Sequence, residues 1–189
     1  MAEIRRLSYE ELDPPLRDAL RAKVERLGYL GEFFAVAGHQ PAATTAFQNF
    51  TEALKAALPP ELTEAVALTV ASMLDNHYEQ SQHERLASTL GFSVAWIEAA
   101  LGKGDPGELS EGARTARDLA RSMVEGYGRD ASPQLAHAVE VLGEEHAVGL
   151  LLTVGRYVAH AVVSNTLELT APVASVVAAS AARKAGHPS

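Results

Sequence analysis

The feature that most constrains this chain is the spacing of its apolar residues, which recur every three or four positions in segment after segment. Leu12, Leu16, Leu20, Val24 and Leu27 form one such series, and Gly28 follows it directly. This spacing places apolar side chains on one face of an α-helix, and no run shows the period-two alternation of a half-buried strand. We therefore predict an all-α fold, a bundle of about seven helices.

Residues that begin and end helices divide these segments. The predicted starts are the capping box Ser8/Glu11, Pro41, Pro60, Ser93, Ser110 and Ser132-Pro133. The predicted ends are Gly28, Gly91 and Pro172, the last closing a long helix from about residue 144 to 169. Residues 102–107 form the clearest loop, and the Ala-rich tail from Val173 to Ser189 is either a docked helix or a loose end.

Composition narrows the function classes. With 24 acidic and 16 basic residues the formal charge is −8, so we expect no nucleic-acid partner. The absence of cysteine excludes disulfides, cysteine-bound zinc and thiolate nucleophiles. Neither an apolar signal core near the N-terminus nor an uninterrupted apolar run of membrane-spanning length is evident, so we expect a cytoplasmic protein with no membrane partner. A length of 189 residues predicts one domain, 1–189.

The segment from Glu64 to Gly91 concentrates titratable side chains within apolar sequence. Asp75 and Asn76, both good helix N-caps, predict a break and an antiparallel helical hairpin. Glu64 lies 11 residues before Asp75 and His83 lies 8 after it, distances of about 16 and 12 Å along a helix at ~1.5 Å per residue. Both residues are therefore expected at similar depth in the hairpin.

Glu79 lies four residues before His83 and so shares its helix face. Burial is expected to raise the pKa values of Glu64 and Glu79, and a neighbouring carboxylate is expected to raise that of His83. Such a group of residues suits proton transfer near neutral pH. The alternative is a Glu79–His83 surface pair, with Glu64 only a favourable charge near a helix start.

The same segment resembles the carboxymuconolactone decarboxylase / alkylhydroperoxidase D (AhpD) superfamily. Its members carry an upstream Glu, then Cys-x-x-Cys-x-x-x-His, or Tyr-Glu-Trp-x-x-His in the decarboxylase branch, and a Leu-Ala…Gly-hydrophobic-Ser stretch. Here Glu64 precedes residues 76–83, Asn-His-Tyr-Glu-Gln-Ser-Gln-His, and Leu86-Ala87 precedes Gly91-Phe92-Ser93. The resemblance is strongest over residues 61–101 and implies an AhpD-like helical bundle with the motif on a central hairpin.

Departures from the pattern limit what the resemblance implies. Asn76 and Glu79 stand where the peroxidase branch has its cysteines, so thiol peroxidase chemistry is excluded. Gln80 stands where the decarboxylase branch has Trp. The resemblance then implies His83, Glu79 and Glu64 as catalytic residues and Tyr78 as a substrate contact.

Polar residues also recur on the long C-terminal helix, where Arg156 and His160 interrupt an apolar surface. One interpretation is a pocket wall in which Arg156 binds a substrate carboxylate; the other is a polar seam between helices or subunits. A metal site of His77, Glu79 and His83 is not expected, because residues two apart point to different faces of a helix.

Two functions remain open at this point. One is a cofactor-free lyase or isomerase acting on a small anionic molecule, with proton transfer by His83. The other is a catalytically silent relative that binds small molecules or acts in stress. In both cases the apolar C-terminal helix, together with the resemblance, predicts a homo-oligomer.

Overall fold

The computed structural model describes residues 4–185, and these residues form nine α-helices, one short 3₁₀ helix and no strand. The all-α prediction is confirmed, with nine helices rather than about seven. The described residues fall into two compact units, within residues 1–54 and 55–189. The prediction of one domain stays a prediction.

The first unit contains α1 (Pro14–Leu27), α2 (Glu32–Ala37) and most of α3 (Pro41–Ala57). Glu11 Oε2 accepts from Ser8 N at 2.8 Å, which is one of the two hydrogen bonds of the predicted Ser8/Glu11 capping box. Helix α1 nevertheless starts later than predicted, at Pro14, where two consecutive prolines suit the first helical turn. It ends as predicted at Gly28, whose φ of 81° is left-handed. Helix α2, which the sequence analysis missed, has only six residues.

The second unit contains the hairpin helices α4 (Pro60–Met73) and α5 (His77–Thr89), followed by α6 (Val94–Ala100). The remaining helices are α7 (Glu111–Glu125), α8 (Ser132–Thr166) and α9 (Val176–Ala185), and the 3₁₀ helix Pro106–Glu108 precedes α7. Ser93 and Ser110 cap α6 and α7 as predicted, each accepting a backbone N–H with its hydroxyl. A helix apolar on all sides belongs at a centre, and α4, which packs against α5, α7 and α8, is buried from Leu62 to Ala71.

Helix α8 kinks at Gly143, where φ is 81° and ψ is 165°. The separate start at Ser132 and the long helix from about residue 144 are therefore confirmed, although the helix ends at Thr166 rather than near 169. By length and composition α8 is apolar enough to cross a membrane, and 56% of its most apolar window is buried within the protein. Helices buried in a protein core share this length and composition, so these two properties alone do not make α8 a membrane segment.

The Ala-rich tail from Val173 was predicted to be either a docked helix or a loose end, and the structure decides between these for most of its length. Helix α9 packs against α5 and α6, so this stretch is a docked helix. The tail beyond Ala185, residues 186–189, lies outside the described residues.

Candidate active site

The α4–α5 hairpin brings Glu64 and His83 into direct contact. The chain reverses at Asp75, whose φ is 49°, and Asn76 caps α5 by accepting a hydrogen bond from Glu79 N at 2.9 Å. Glu64 Oε2 then lies 2.8 Å from His83 Nδ1. A continuous helix would have separated these residues by about 28 Å. The predicted reversal is present, and the 2.8 Å distance is that of a direct hydrogen bond.

Helix α8 brings two further basic side chains to the hairpin, and both meet Glu79. His160 Nδ1 lies 2.6 Å from Glu79 Oε2, and Arg156 Nη1 lies 3.4 Å from the same oxygen. His83 Nε2 approaches that oxygen too, at 3.6 Å. Arg156 and His160 therefore lie beside the predicted catalytic group and not at a separate place.

The five charged or titratable side chains form one buried cluster, which we call the α5–α8 cluster: Glu64, Glu79, His83, Arg156 and His160. The side-chain exposed fractions are 3% for Glu64, 8% for Glu79, 10% for His83, 5% for Arg156 and 4% for His160. The surface-pair alternative for Glu79 and His83 is therefore wrong. Charges removed from water to this degree need partners, and each member contacts another member.

The environment of His83 favours its protonated form. Burial alone lowers the pKa of a histidine, but here the Coulombic attraction of Glu64 and its hydrogen bond outweigh burial, and Glu79 adds to them. The pKa of His83 is raised to about 9. The imidazole therefore carries a proton at neutral pH, as the neighbouring carboxylate predicted.

The pKa of Glu79 moves against the prediction. Burial does act to raise it, as expected, but attraction to His160 and hydrogen bonds from His160 and His83 act more strongly in the other direction. The pKa of Glu79 consequently lies well below its usual range. The prediction was wrong because the spacing of residues along the chain does not show that His160 of α8 reaches this carboxylate.

Aromatic rings border the cluster. The predicted substrate contact Tyr78 is 3% exposed, and its ring centroid lies 6.3 Å from that of His160. Tyr157, which the sequence analysis missed, meets His83 edge to face at 5.1 Å and has the Arg156 guanidinium 4.3 Å above its ring. Its position three residues before His160 on one helix is the signal that would have found it.

Gln80 belongs to a second polar group on the adjacent face of α5. We call it the Glu84 group, and it consists of Gln80, Glu84, Ser175 and the backbone N–H of Val177. The Gln80 amide donates to Glu84 Oε1 at 2.7 Å. Glu84 Oε2 accepts from Ser175 Oγ at 2.6 Å and from Val177 N at 3.2 Å, at the start of α9. Glu84 is fully buried. Gln80 therefore helps to hold α9, and the sequence carried no sign of that partner.

The other polar residues singled out in the sequence lie elsewhere. His77 is exposed, and among residues 4–185 no group of three or more His, Cys, Asp and Glu side chains is arranged to hold a metal ion. A cleft of about 460 Å³ is lined by residues of α7 and the start of α8, among them Asp118, Arg121 and His137. None of the cluster residues lines that cleft.

Comparisons with known proteins agree with this architecture. Residues 41–122, just under half of the chain, match the model of the carboxymuconolactone decarboxylase family. No curated protein sequence matches. The chain is similar in structure to the debrominase Bmp8, at 18% identity and a TM-score of 0.76, over 90% of this chain and 92% of that one.

Two further structures extend the likeness. A cysteine variant of Bmp8 in complex with 2,3,4-tribromopyrrole matches at 18% identity over 97% of each chain, with a TM-score of 0.74. An alkylhydroperoxidase AhpD core, an uncharacterized peroxidase-related protein from Ralstonia eutropha JMP134, matches at 15% identity and a TM-score of 0.72, over 90% of this chain and 94% of that one. At these identities the likeness establishes an AhpD-like helical fold.

Proposed function

Taking residues 41–122 as a segment of the carboxymuconolactone decarboxylase family, we propose that this protein is a cofactor-free enzyme that transfers a proton to or from a small anionic substrate. The observation that carries the proposal is His83, buried between two carboxylates with Glu64 at Nδ1 and Glu79 near Nε2. A buried, charged imidazole held on one nitrogen is the arrangement that proton donation requires.

In the proposed reaction the two carboxylates have different roles. The 2.8 Å contact with Glu64 fixes the imidazole orientation and stabilises its charge. The longer 3.6 Å approach to Glu79 leaves Nε2 as the nitrogen from which a proton reaches the substrate. Glu64 is then a positioning residue and His83 the proton donor.

The protonated state of His83 favours decarboxylation over isomerisation. In decarboxylation the bond to the carboxylate breaks, carbon dioxide leaves, and the electron pair remaining on carbon takes the proton from His83. Water then returns a proton to the imidazole. Isomerisation would first need a base, which His83, with a pKa of about 9, does not supply at neutral pH, so Glu79 would have to act in that role.

Chemistry based on a thiol is not available to this chain. A thiolate nucleophile requires cysteine, and the chain contains none. The structural likeness to a peroxidase-related protein and to a debrominase therefore does not carry a thiol reaction over to this chain. We expect no peroxide reduction above a buffer blank with thiol reductants in a sample stripped of metal and haem.

Deuterium incorporation tests the proposal. The protein would be incubated in D₂O with carboxymuconolactone and with a set of other small carboxylic acids, and carbon-bound deuterium followed by NMR. We expect incorporation by the native protein, a loss of at least about 100-fold in His83→Ala, and retention in Glu84→Gln, whose carboxylate lies outside the cluster. Equal incorporation in the native protein and His83→Ala would refute proton transfer by His83.

A catalytically silent relative is the second candidate, and one observation favours it. Every member of the α5–α8 cluster contacts an oppositely charged or titratable member, as in a purely structural ion-pair network. The silent protein would bind small molecules without turnover. It is the better description if binding is found and no deuterium is incorporated with any substrate tried.

We also propose self-association through α8. Residues Val148, Leu152 and Val162 are 53%, 47% and 56% exposed, and with Gly155 and Ala159 they follow a heptad spacing along one face. A Cβ placed at Gly155 would meet nothing within 4 Å, so a second helix can approach closely there. Because apolar seams of this spacing bury themselves against another helix, a second copy of this chain is the proposed occupant.

Light scattering would measure the mass of the protein in solution. We expect a multiple of the 20.1 kDa chain mass for the native protein and the single-chain mass for Leu152→Glu/Val162→Glu. Tyr127→Glu, at a site 85% exposed in the turn between α7 and α8, is the matched control and should leave the mass unchanged. A dilute native monomer would reject the proposal.

A further inference from the structure

Three basic side chains converge on a single oxygen of Glu79. Its Oε2 lies 2.6 Å from His160 Nδ1, 3.4 Å from Arg156 Nη1 and 3.6 Å from His83 Nε2. We propose that these three residues form a binding site for the carboxylate of a small ligand, and that the Glu79 side chain occupies this site and is displaced when the ligand binds. The proposal rests on the proposed function only in taking that ligand to be the substrate.

The three contacts of Glu79 Oε2 differ in length. Hydrogen bonds between charged nitrogen donors and carboxylates are normally about 2.7–2.9 Å long. Only the contact with His160 is that short, and the contacts with Arg156 and His83 are longer. A side chain tethered to α5 presents one oxygen here, whereas a free carboxylate can present both oxygens to the forked donors of Arg156.

The second oxygen of Glu79 indicates the direction in which the side chain leaves. Glu79 Oε1 accepts from Gln82 Nε2 at 3.4 Å, and Gln82 is half-buried. His83 and Glu79 are also the cluster members whose side chains reach furthest towards solvent, at 10% and 8% exposed. Because the Asn76 cap holds Glu79 N, a side-chain rotation towards Gln82 can vacate the site while the backbone stays in place.

Charge balance permits the exchange. At neutral pH the carboxylates of Glu64 and Glu79 face the charged Arg156 and His83. A ligand carboxylate that replaces the Glu79 carboxylate leaves the buried charge unchanged, so no cation is stranded without a partner. A neutral ligand of the same shape would leave one buried cation without a compensating negative charge, so we expect it not to bind.

The surroundings indicate the ligand class. The Tyr157 ring lies against both Arg156 and His83, and the Tyr78 ring lies beside His160. Flat apolar walls around a cationic centre suit a small planar carboxylate. Acetate is a small probe of this class, and acetamide matches its shape without its charge.

Binding would be measured by titrating acetate or acetamide at constant ionic strength while following the ¹⁵N signals of His83 and His160. We expect saturable binding of acetate and none of acetamide. Glu79→Ala removes the competing carboxylate and should bind acetate at least about tenfold more tightly. Glu79→Gln leaves a neutral group in place and should lie between the two. Arg156→Met introduced into Glu79→Ala should abolish binding.

The outcomes separate this proposal from its alternatives. Acetate binding by Glu79→Ala but not by the native protein would mean that acetate only fills an engineered hole, and would overturn the displacement. Binding by none of the proteins would overturn the site itself. If Glu79→Ala does not fold, the native protein and Glu79→Gln still decide the matter. None of these measurements uses turnover, so failure of the proposed reaction would be recorded separately.

Discussion

Helix α5 buries two carboxylates five residues apart and stabilises them in different ways. Glu79 is surrounded by basic side chains from α5 and α8, and its pKa is lowered well below the usual range. Glu84 is fully buried, and its described partners are neutral donors: the Gln80 amide, the Ser175 hydroxyl and the Val177 amide. The first carboxylate lies among titratable groups, and the second joins α5 to the start of α9.

The difference shows what each arrangement is suited to do. Neutral donors with fixed positions hold one geometry, which suits a structural contact between helices. A group of opposite, titratable charges can exchange a proton or a partner without a change in total charge. Five predictions test whether the α5–α8 cluster and the Glu84 group differ in this way.

The largest expected effect on stability comes from Arg156→Met. It removes a buried cation and leaves Glu79 under-compensated, which should cost about 3–5 kcal/mol of the free energy of unfolding. Urea unfolding at pH 7 measures the change. Arg121→Met is the matched control: its partner Glu125 is exposed and 3.2 Å away, so a loss of only about 0–1 kcal/mol is expected. Equal losses in both variants would show that the buried Arg156–Glu79 pair contributes no more to stability than the exposed Arg121–Glu125 pair.

The pH dependence of stability should come from the cluster. The pKa of His83 is raised from 6.5 to about 9 in the folded protein. Its contribution is therefore complete below pH 6.5 and is lost as the pH rises towards 9, by up to about 3 kcal/mol. Unfolding of the native protein compared with His83→Gln at both pH values isolates this slope. If the free energy of unfolding of His83→Gln changes between the two pH values as much as that of the native protein, the pH dependence comes from another group.

Glu79 should produce the opposite slope in acid. Because its pKa is lowered from 4.5 in the folded protein, its contribution is present above pH 4.5 and is lost as the pH falls further. Together with His83 this predicts that the contribution of the cluster is greatest between about pH 4.5 and 6.5. Comparison with Glu79→Gln in the same unfolding series provides the check.

A smaller effect is expected from Glu84→Gln. The substitution keeps the size of the side chain but replaces one acceptor oxygen by a donor, so one of the three neutral donors loses its partner. We expect a loss of about 1–3 kcal/mol, smaller than that of Arg156→Met. A larger loss in Glu84→Gln than in Arg156→Met would mean that the Glu84 group contributes more to stability than the Arg156–Glu79 pair does.

The smallest effect is expected from Ser175→Ala. Ser175 Oγ donates to Glu84 and accepts from Ala178 N at 3.1 Å, so it caps α9 and joins it to α5. Loss of a cap costs about 0.5–2 kcal/mol, and here the change should be local. Hydrogen exchange should increase in α9 and remain unchanged in the α4–α5 hairpin. Faster exchange throughout both helices would contradict a local contact.

Much of this architecture follows from local sequence. Ser93, Ser110 and Gly28 fix helix ends because a hydroxyl or a left-handed glycine satisfies backbone groups next to it in the chain. Asp75 and Asn76 predict the hairpin for the same reason. Once the chain reverses there, equal depth on two antiparallel helices brings Glu64 and His83 together.

Tertiary structure alone decided the rest. Arg156 meets Glu79 across 77 positions of sequence, and the position of α8 beside α5 depends on how whole helix faces pack, which no local spacing encodes. That placement also reversed the sign predicted for the pKa of Glu79. The sequence determined which titratable groups are present and which of them share a hairpin, because caps and helical periodicity act over a few residues. Packing determined which charges face one another, because Coulomb energies depend on distances between helices that are far apart in the chain.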